Sequence, residues 1–298
     1  MKTIDAARGR WHGILKHLGL DESYLRNKHG PCPLCSGKDR YRWDDKDGSG
    51  SYYCHGCGPG SGMKLAMAIT GLDFKDCARR IDEIVNNVPA EAPKPKRDPI
   101  PALKRLAEAQ DFAKPDGPAA HYLASRGLTR APQTREVARW KYWDEGKQLG
   151  VYPAMVHLFT GPEGEPLTWH VTYLTPDGRK ADVPAQRKVM PPASPMSGGA
   201  IRLYEAGETL GIAEGVETAI AAATRYGIPV WSAVSATLIE QFQPPQGVKC
   251  VVIFGDNDKS FTGQKSAYAL AFRLKREGYA VEVRIPETVG DFADEVTA

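Results

Sequence analysis

The stretch "HGPCPLCSGKDRYRWDDKDGSGSYYCHGCGPGSG", His29 to Gly62, holds two Cys-x-x-Cys pairs with eighteen residues between Cys35 and Cys54. A two-residue gap lets one tight turn aim two sulfurs at one ion, and two such turns complete a tetrahedron. Thiolates suit a borderline-soft metal, so the spacing predicts a structural Zn²⁺ held by Cys32, Cys35, Cys54 and Cys57. Four thiols already close the site, which leaves the neighbouring His29 and His55 as bystanders. Between the pairs, "DRYRW" and "SYYC" flank "DDKDGSG", the pattern of two strands around an Asp/Gly/Ser turn. The expectation is a small β-hairpin ribbon with little core of its own, folded by its metal. Lys38, Arg40, Arg42, Trp43 and Tyr53 would then stud its surface, mixing cations for phosphates with rings for stacked bases. The competing reading is that the rings cover the zinc and the cations are solvated.

The chain has 298 residues with 42% hydrophobic and 25% charged content, ordinary for a globular protein. No apolar run reaches the ~18 residues of a membrane helix. The start "MKTIDAARGRWHGILKHLGL" lacks the apolar centre and cleavage site of a signal peptide. The expected compartment is the cytoplasm, with no membrane partner and with reduced thiols. Net charge is +3, but residues 1–204 sum to +8 and residues 205–298 to −5. That split suits a polyanion at one end and metal ions at the other, although solvated charge can segregate by chance.

Composition divides the chain. Residues 1–88 form the ribbon domain, ending in two helices with Cys77 as a buried thiol. Residues 89–101 fall in a proline-rich, basic stretch that reads as an extended linker. Residues 102–204 mix two helices with strands at "YPAMVHLF", "LTWHVTYL", "KVMPPA" and "AIRLYEA". Basic residues there, among them Arg179, Lys180, Arg187, Lys188 and Arg202, are candidates for phosphate contacts, with Lys188 and Arg202 as the nucleotide-binding pair. Residues 205–298 alternate strands and helices, which implies a parallel sheet with right-handed crossovers. The fold class is therefore α+β and multidomain: a zinc ribbon, a mixed α/β middle domain and a parallel α/β domain.

In such a sheet, ligands bind at the carboxyl ends of the strands. Glu214, Asp256 and Asp258 all fall at such ends, and Asp291 follows the fourth strand. Carboxylates gathered there repel unless a cation neutralises them, and hard oxygen donors suit Mg²⁺ or Mn²⁺.

The ribbon resembles the zinc-binding domain of the primases of satellite phages and plasmids, through Gly-Pro-Cys-Pro-x-Cys, Gly-Lys-Asp-Arg-Tyr-Arg-Trp and the closing Cys-x-x-Cys-Gly. More distantly it is similar to the ribbon of phage helicase–primases. Residues 102–204 resemble the middle domain of the same primases through "YLASRGL", "YPAMV", "HVTYLTPDGRKA" and "GGAIRL". From Thr209 onward the chain resembles the Toprim domain, through "EGVETA", the apolar strand before "DND", and "GDFADE". The resemblance implies a DNA primase that makes short RNA primers on single-stranded DNA for phage or plasmid replication. Glu214 would be its acid/base or metal-bridging group, Asp256 and Asp258 its metal pair, and Asp291 a further acid. Family members often carry another acid one turn after the first Glu; here Glu217 is three residues on and Thr218 four.

Two other classes compete. A Toprim nuclease needs the same carboxylates, and a DNA-binding accessory protein needs only the ribbon. Ribonucleoside triphosphates and template are the implied partners. No Gly-x4-Gly-Lys-[Ser/Thr] occurs, so unwinding would come from a separate replicative helicase.

Overall fold

The computed structural model describes residues 3–90, 98–144 and 146–297. The chain divides into two compact units, Met1–Arg97 and Asp98–Ala298. Most of the linker reading, residues 91–97, lies outside the described residues. Its last two residues do not belong to a linker: the first helix of the second unit begins at Ile100 and seats Pro101 in its first turn, where a missing N–H costs nothing.

In the first unit, helices α1 (Thr3–Ala7), α2 (Trp11–His17), α3 (Gly62–Thr70) and α4 (Phe74–Ile84) pack around a three-stranded antiparallel sheet. The hairpin expectation holds: β1 (Tyr41–Trp43) pairs with β2 (Tyr52–Cys54), with Tyr41 opposite Cys54 and Trp43 opposite Tyr52. The turn between them sets Asp45, Asp47, Gly48 and Gly50 at positive φ, where Asp and Gly are the tolerant residues. The third strand, β3 (Gly58–Gly60), is a Gly-Pro-Gly that no propensity rule reads as strand. Gly60 is opposite Tyr52, and a side chain there would run into the Tyr52 ring. Trp11, Ile14, Leu15, Tyr41, Trp43, Tyr52, Leu65, Cys77 and Ile81 make one buried cluster, so the ribbon has a helical core behind it.

The second unit is built on one ten-stranded sheet. After α5 (Ile100–Ala109), β4 (Asp111–Phe112) and α6 (Pro118–Ser125) come β5 (Arg135–Asp144), β6 (Lys147–Thr160), β7 (Pro166–Tyr173), β8 (Arg187–Val189) and β9 (Ala200–Ile201). All of these strands pair antiparallel. Then β10 (Thr209–Ala213), α7 (Val216–Tyr226), β11 (Val230–Ser232), α8 (Ala236–Gln241), β12 (Cys250–Phe254), α9 (Thr262–Arg276), β13 (Ala280–Arg284) and α10 (Asp294–Thr297) follow. The order β13-β12-β10-β11 is parallel throughout, and β9 joins it to β6. The sheet therefore crosses the boundary expected near residue 204, and residues 102–204 and 205–298 belong to one body.

Two details depart from the sequence reading. The strand read as "AIRLYEA" stops at Ile201. The ten-residue β5 was not expected at all, because its charges hide the pattern. A bulge between Val137 and Trp140 breaks the alternation, so that Val137, Trp140 and Tyr142 share the inner side across a step of three and then two.

The order of the parallel strands sets the position of the crevice. The connection from β10 runs through α7 to β11 on one side, whereas that from β12 runs through α9 to β13 on the other. Adjacent strands whose connections diverge leave an opening at their carboxyl ends. Those ends carry Glu214, just past β10, and Asp256, just past β12.

Candidate functional site

Four sulfurs converge in the first unit. Cys32 Sγ lies 3.8 Å from Cys57 Sγ, and Cys35 Sγ lies 3.8 Å from Cys54 Sγ. Zinc–sulfur bonds of about 2.3 Å place the corners of a tetrahedron about 3.8 Å apart. All four thiols are free of disulfides, and their sulfurs lie within 4.8 Å of one another. The donor set therefore fits zinc. Arg40 folds over both cysteine turns: a Cβ at Gly37 or Gly56 would meet its side chain. A guanidinium there offsets the net negative charge of a four-thiolate zinc site.

The rest of the expected nucleic-acid set divides by strand parity. Arg42 and Tyr53 are cross-strand partners on the outer, half-buried side of the hairpin. The Tyr53 ring meets the His55 ring edge-on at 5.2 Å, and His55 stacks on His29 at 5.9 Å. Lys38 is exposed in the loop before β1. Trp43 corrects the expectation: it points inward, 3% exposed, with His12 5.6 Å from its ring. A ring buried in the core has no face to offer a base.

In the second unit, a pocket of about 180 Å³ is lined by Glu214, Glu217, Asp256 and Asp291 together with Arg126, Lys180 and Arg187. Asp256 is its most strained group. Burial, then Glu214, Asp291 and Asp258, push its carboxyl up to about 7, and its Oδ1 is buried with no hydrogen-bond partner. Glu214 is raised too, by burial and then by Asp258. Asp258 does not line the pocket, although its charge reaches both neighbours; its Oδ2 accepts from Gly263 N at the first turn of α9, 2.9 Å away. Asp291 Oδ1 accepts from Ala293 N at 2.7 Å. The carboxylates are looser than the sulfurs: among the described residues, only the cysteines form a group of three or more such donors within 4.8 Å. Mutually repelling acids around an unpartnered carboxylate oxygen nevertheless fit a divalent cation with water completing its shell.

Lys180 is perturbed in the opposite sense. Lys180 is pushed below its ordinary value by burial and by Arg187, with Arg126 adding to it. Arg187 stands between the acid pocket and a second recess of about 270 Å³ that also contains His170, Lys188, Glu214 and Ser232. It lies 3.6 Å from Glu217 Oε2, and Tyr122 donates its hydroxyl to Glu217 Oε1 at 2.7 Å. Burial opposes ionisation of Glu217, but Arg187 and Tyr122 outweigh it and hold the carboxyl below its usual range. Glu217 is therefore occupied as an anchor for Arg187. Sequence reasoning named Arg187 only among several cations and gave no signal for Tyr122 or Arg126. His170, in the second recess, is held neutral by burial, its value lowered to about 4.

Of the expected nucleotide-binding pair, Lys188 reaches the second recess, but its ammonium is engaged by Trp143 O at 2.6 Å and the Tyr142 ring at 3.9 Å. Arg202 lines neither of these two recesses. Its Nη2 donates to Gly161 O and Pro162 O, and its guanidinium lies 4.8 Å from the centre of the Trp231 ring. Trp231 and Ser232 are adjacent on β11, so their side chains leave opposite faces, and Ser232 is the one beside Glu214.

Comparison with known families separates three segments. Residues 27–63 match the family described as zinc-binding domain of primase-helicase, and residues 209–298 match the Toprim domain. The chain carries a primase-type zinc ribbon and a Toprim domain. Residues 97–203 match a domain of unknown function (DUF7146). Among solved structures, the primase fragment of the bacteriophage T7 primase-helicase protein is 14% identical, with 91% of this chain and 94% of that one covered and a TM-score of 0.45. The Aquifex aeolicus primase, comprising zinc-binding and RNA polymerase domains, is 14% identical over 100% and 82%, also at 0.45. A DNA primase domain from Pseudomonas aeruginosa is 17% identical over 67% and 74%, at 0.42. Identities and scores this low decide neither activity nor substrate.

Three outcomes are expected. Cys54→Ser should take zinc from about one ion per chain to none and unfold the ribbon, because structural zinc contributes roughly 10–16 kcal/mol of apparent binding energy; full zinc content in a folded variant would refute the site. Tyr53→Ala should weaken single-stranded DNA binding by about 1–3 kcal/mol. Trp43→Ala should instead lower the unfolding midpoint of the first unit by the equivalent of about 3–5 kcal/mol. The third concerns Asp256, whose raised value means that its ionisation opposes folding above the ordinary carboxylate range. In divalent-free buffer, Asp256→Asn should therefore stabilise the second unit by a few kcal/mol at pH 8 and by almost nothing at pH 4. An equal gain at both pH values would show that repulsion is not the cause.

Proposed function

We propose that this protein is a DNA primase, a template-directed polymerase that joins ribonucleotides into short RNA primers on single-stranded DNA during phage or plasmid replication. The observation that carries the reading is the pocket at the carboxyl end of the parallel strands, where Glu214, Asp256 and Asp291 share one wall space with Arg126, Lys180 and Arg187. Acids alone suit a metal and cations alone suit a phosphate. Both together suit a metal-bound triphosphate.

The residues divide the work by charge. Glu214, Asp256, Asp258 and Asp291 would hold Mg²⁺ or Mn²⁺, which when bound lowers the pKa of the primer 3′-hydroxyl and offsets charge on the triphosphate. Arg187, fixed by Glu217 and Tyr122, and Lys180 beside it take the phosphates of the incoming nucleotide. The 3′-oxygen attacks the α-phosphorus in line, the new P–O bond forms as the bond to pyrophosphate breaks, and the hydroxyl proton leaves. Glu214, with its carboxyl raised by burial and by Asp258, is placed to accept that proton. Positioning and electrostatics carry phosphoryl chemistry of this kind, so few groups are needed. In the first unit, Arg42, Tyr53 and Lys38 meet the template strand, and zinc stays structural. Unwinding falls to a separate helicase.

The test is synthesis itself. The protein, single-stranded DNA, labelled ribonucleotides and Mg²⁺ or Mn²⁺ should yield short labelled oligomers. Asp256→Ala, Asp258→Ala and Glu214→Gln should each cut synthesis by on the order of 10²-fold or more while leaving DNA binding nearly unchanged. Arg187→Ala should chiefly raise the KM for nucleotide. Normal polymerisation by all three acid variants would sink the assignment.

A further inference from the structure

A recess in the second unit that combines charged, amide and aromatic groups lies away from the acid pocket. It encloses about 510 Å³ and is lined by Arg135, Arg202, Gln133, Gln246, Tyr204 and Trp169, among others. Sheet parity separates it from the proposed catalytic site. Trp169 is adjacent to His170 on β7, and Trp231 is adjacent to Ser232 on β11. His170 and Ser232 line the recess beside Glu214, whereas Trp169 and Trp231 line this one, so the two open on opposite faces of the sheet.

Its chemistry is specific. Glu205 also lines the recess, but neither arginine forms an ion pair with a described carboxylate. Arg202 is pinned by two backbone carbonyls and stacked on Trp231, and its Nε is buried without an acceptor. Its Nη1, which none of these bonds uses, is the donor left for an incoming acceptor. Arg135 is held by Gln110 Oε1 at 3.0 Å and stacked on Phe112 at 4.1 Å, with its remaining donors uncommitted. The remaining donors of Arg135 and the Nη1 of Arg202, both lining one recess, suit a phosphate. The Gln133 and Gln246 amides each offer a donor and an acceptor, the pairing that a nucleobase edge presents. The apolar floor of Leu158 and Trp169 suits a flat ring. The volume falls within the roughly 300–1,000 Å³ of small-ligand sites, enough for one nucleotide.

We propose that this recess is a second nucleotide site, which takes a free mononucleotide with its phosphate between Arg135 and Arg202 and its base against the glutamine amides. It needs no divalent cation, since Glu205 is the single carboxylate among its lining residues. It is independent of whether the acid pocket polymerises.

The test is calorimetric titration of the zinc-loaded protein with adenosine monophosphate, without added Mg²⁺ or Mn²⁺. Saturable one-site binding is expected. Arg135→Gln and Arg202→Gln should each weaken it at least tenfold, whereas the Asp256→Ala/Asp258→Ala double variant should bind as the parent does. Arg202 also holds the Gly161–Pro162 turn, so thermal unfolding of each variant is recorded, and Arg135→Gln, which leaves that turn intact, decides if Arg202→Gln misfolds. Four results overturn the proposal: no binding up to millimolar nucleotide, loss of binding in the double aspartate variant with retention in Arg135→Gln, inorganic phosphate binding as tightly as the nucleotide, or an oligothymidylate that needs Arg135 where the mononucleotide does not bind.

Discussion

Repulsion among like charges at the carboxyl edge of the parallel strands organises the second unit. Divergent connections from β10 and β12 open a crevice there and bring Glu214 and Asp256 to its rim. A sheet edge buried on both faces has little water to screen them, so the fold carries a charge deficit that only cations can relieve. The neighbouring region supplies part of the answer in fixed form: Arg187, Lys180 and Arg126 stand opposite the acids, one of them held by an otherwise buried glutamate. The remainder is left for a diffusible ion. The proposed binding of a metal-bound triphosphate rests on this pairing of acids short of a cation with cations short of an anion.

The ribbon follows the same logic on a smaller scale. Its four thiols need a metal to share one small volume, and Arg40 across the knuckles tempers the charge that remains. The helical cluster behind β1 and β2 explains why Trp43 and Tyr52 serve the interior, while Arg42 and Tyr53 remain on the outer side.

Spacing-based features were legible in the chain, whereas parity-based ones were not. The cysteine pairs announce zinc because a two-residue gap has few other uses, and the acids announce themselves by following apolar strands. Sequence alternation says that Arg42 and Trp43 face opposite ways but not which way the core lies, and so Trp43 was misplaced. Arg187 and Arg202 look equivalent as letters; one reaches the acids and the other leaves from the far face, a distinction made by strand register alone. The bulge in β5 and the Gly-Pro-Gly of β3 escape because each breaks the local rule by which strands are recognised, and tertiary pairing overrides it.

The two-residue strand β9 has a mechanical consequence. Ile201 pairs with Phe159 on one side and Ser232 on the other, stitching the antiparallel strands to the parallel ones. Residues of α6, β6, β10 and α7 share one buried cluster across that seam. Closing the cationic half over the acidic half, as a clamshell does, would tear this stitch and shear the cluster beneath it. The distance between the cations and the carboxylates is thus set when the chain folds, by the seam rather than by a hinge between two halves.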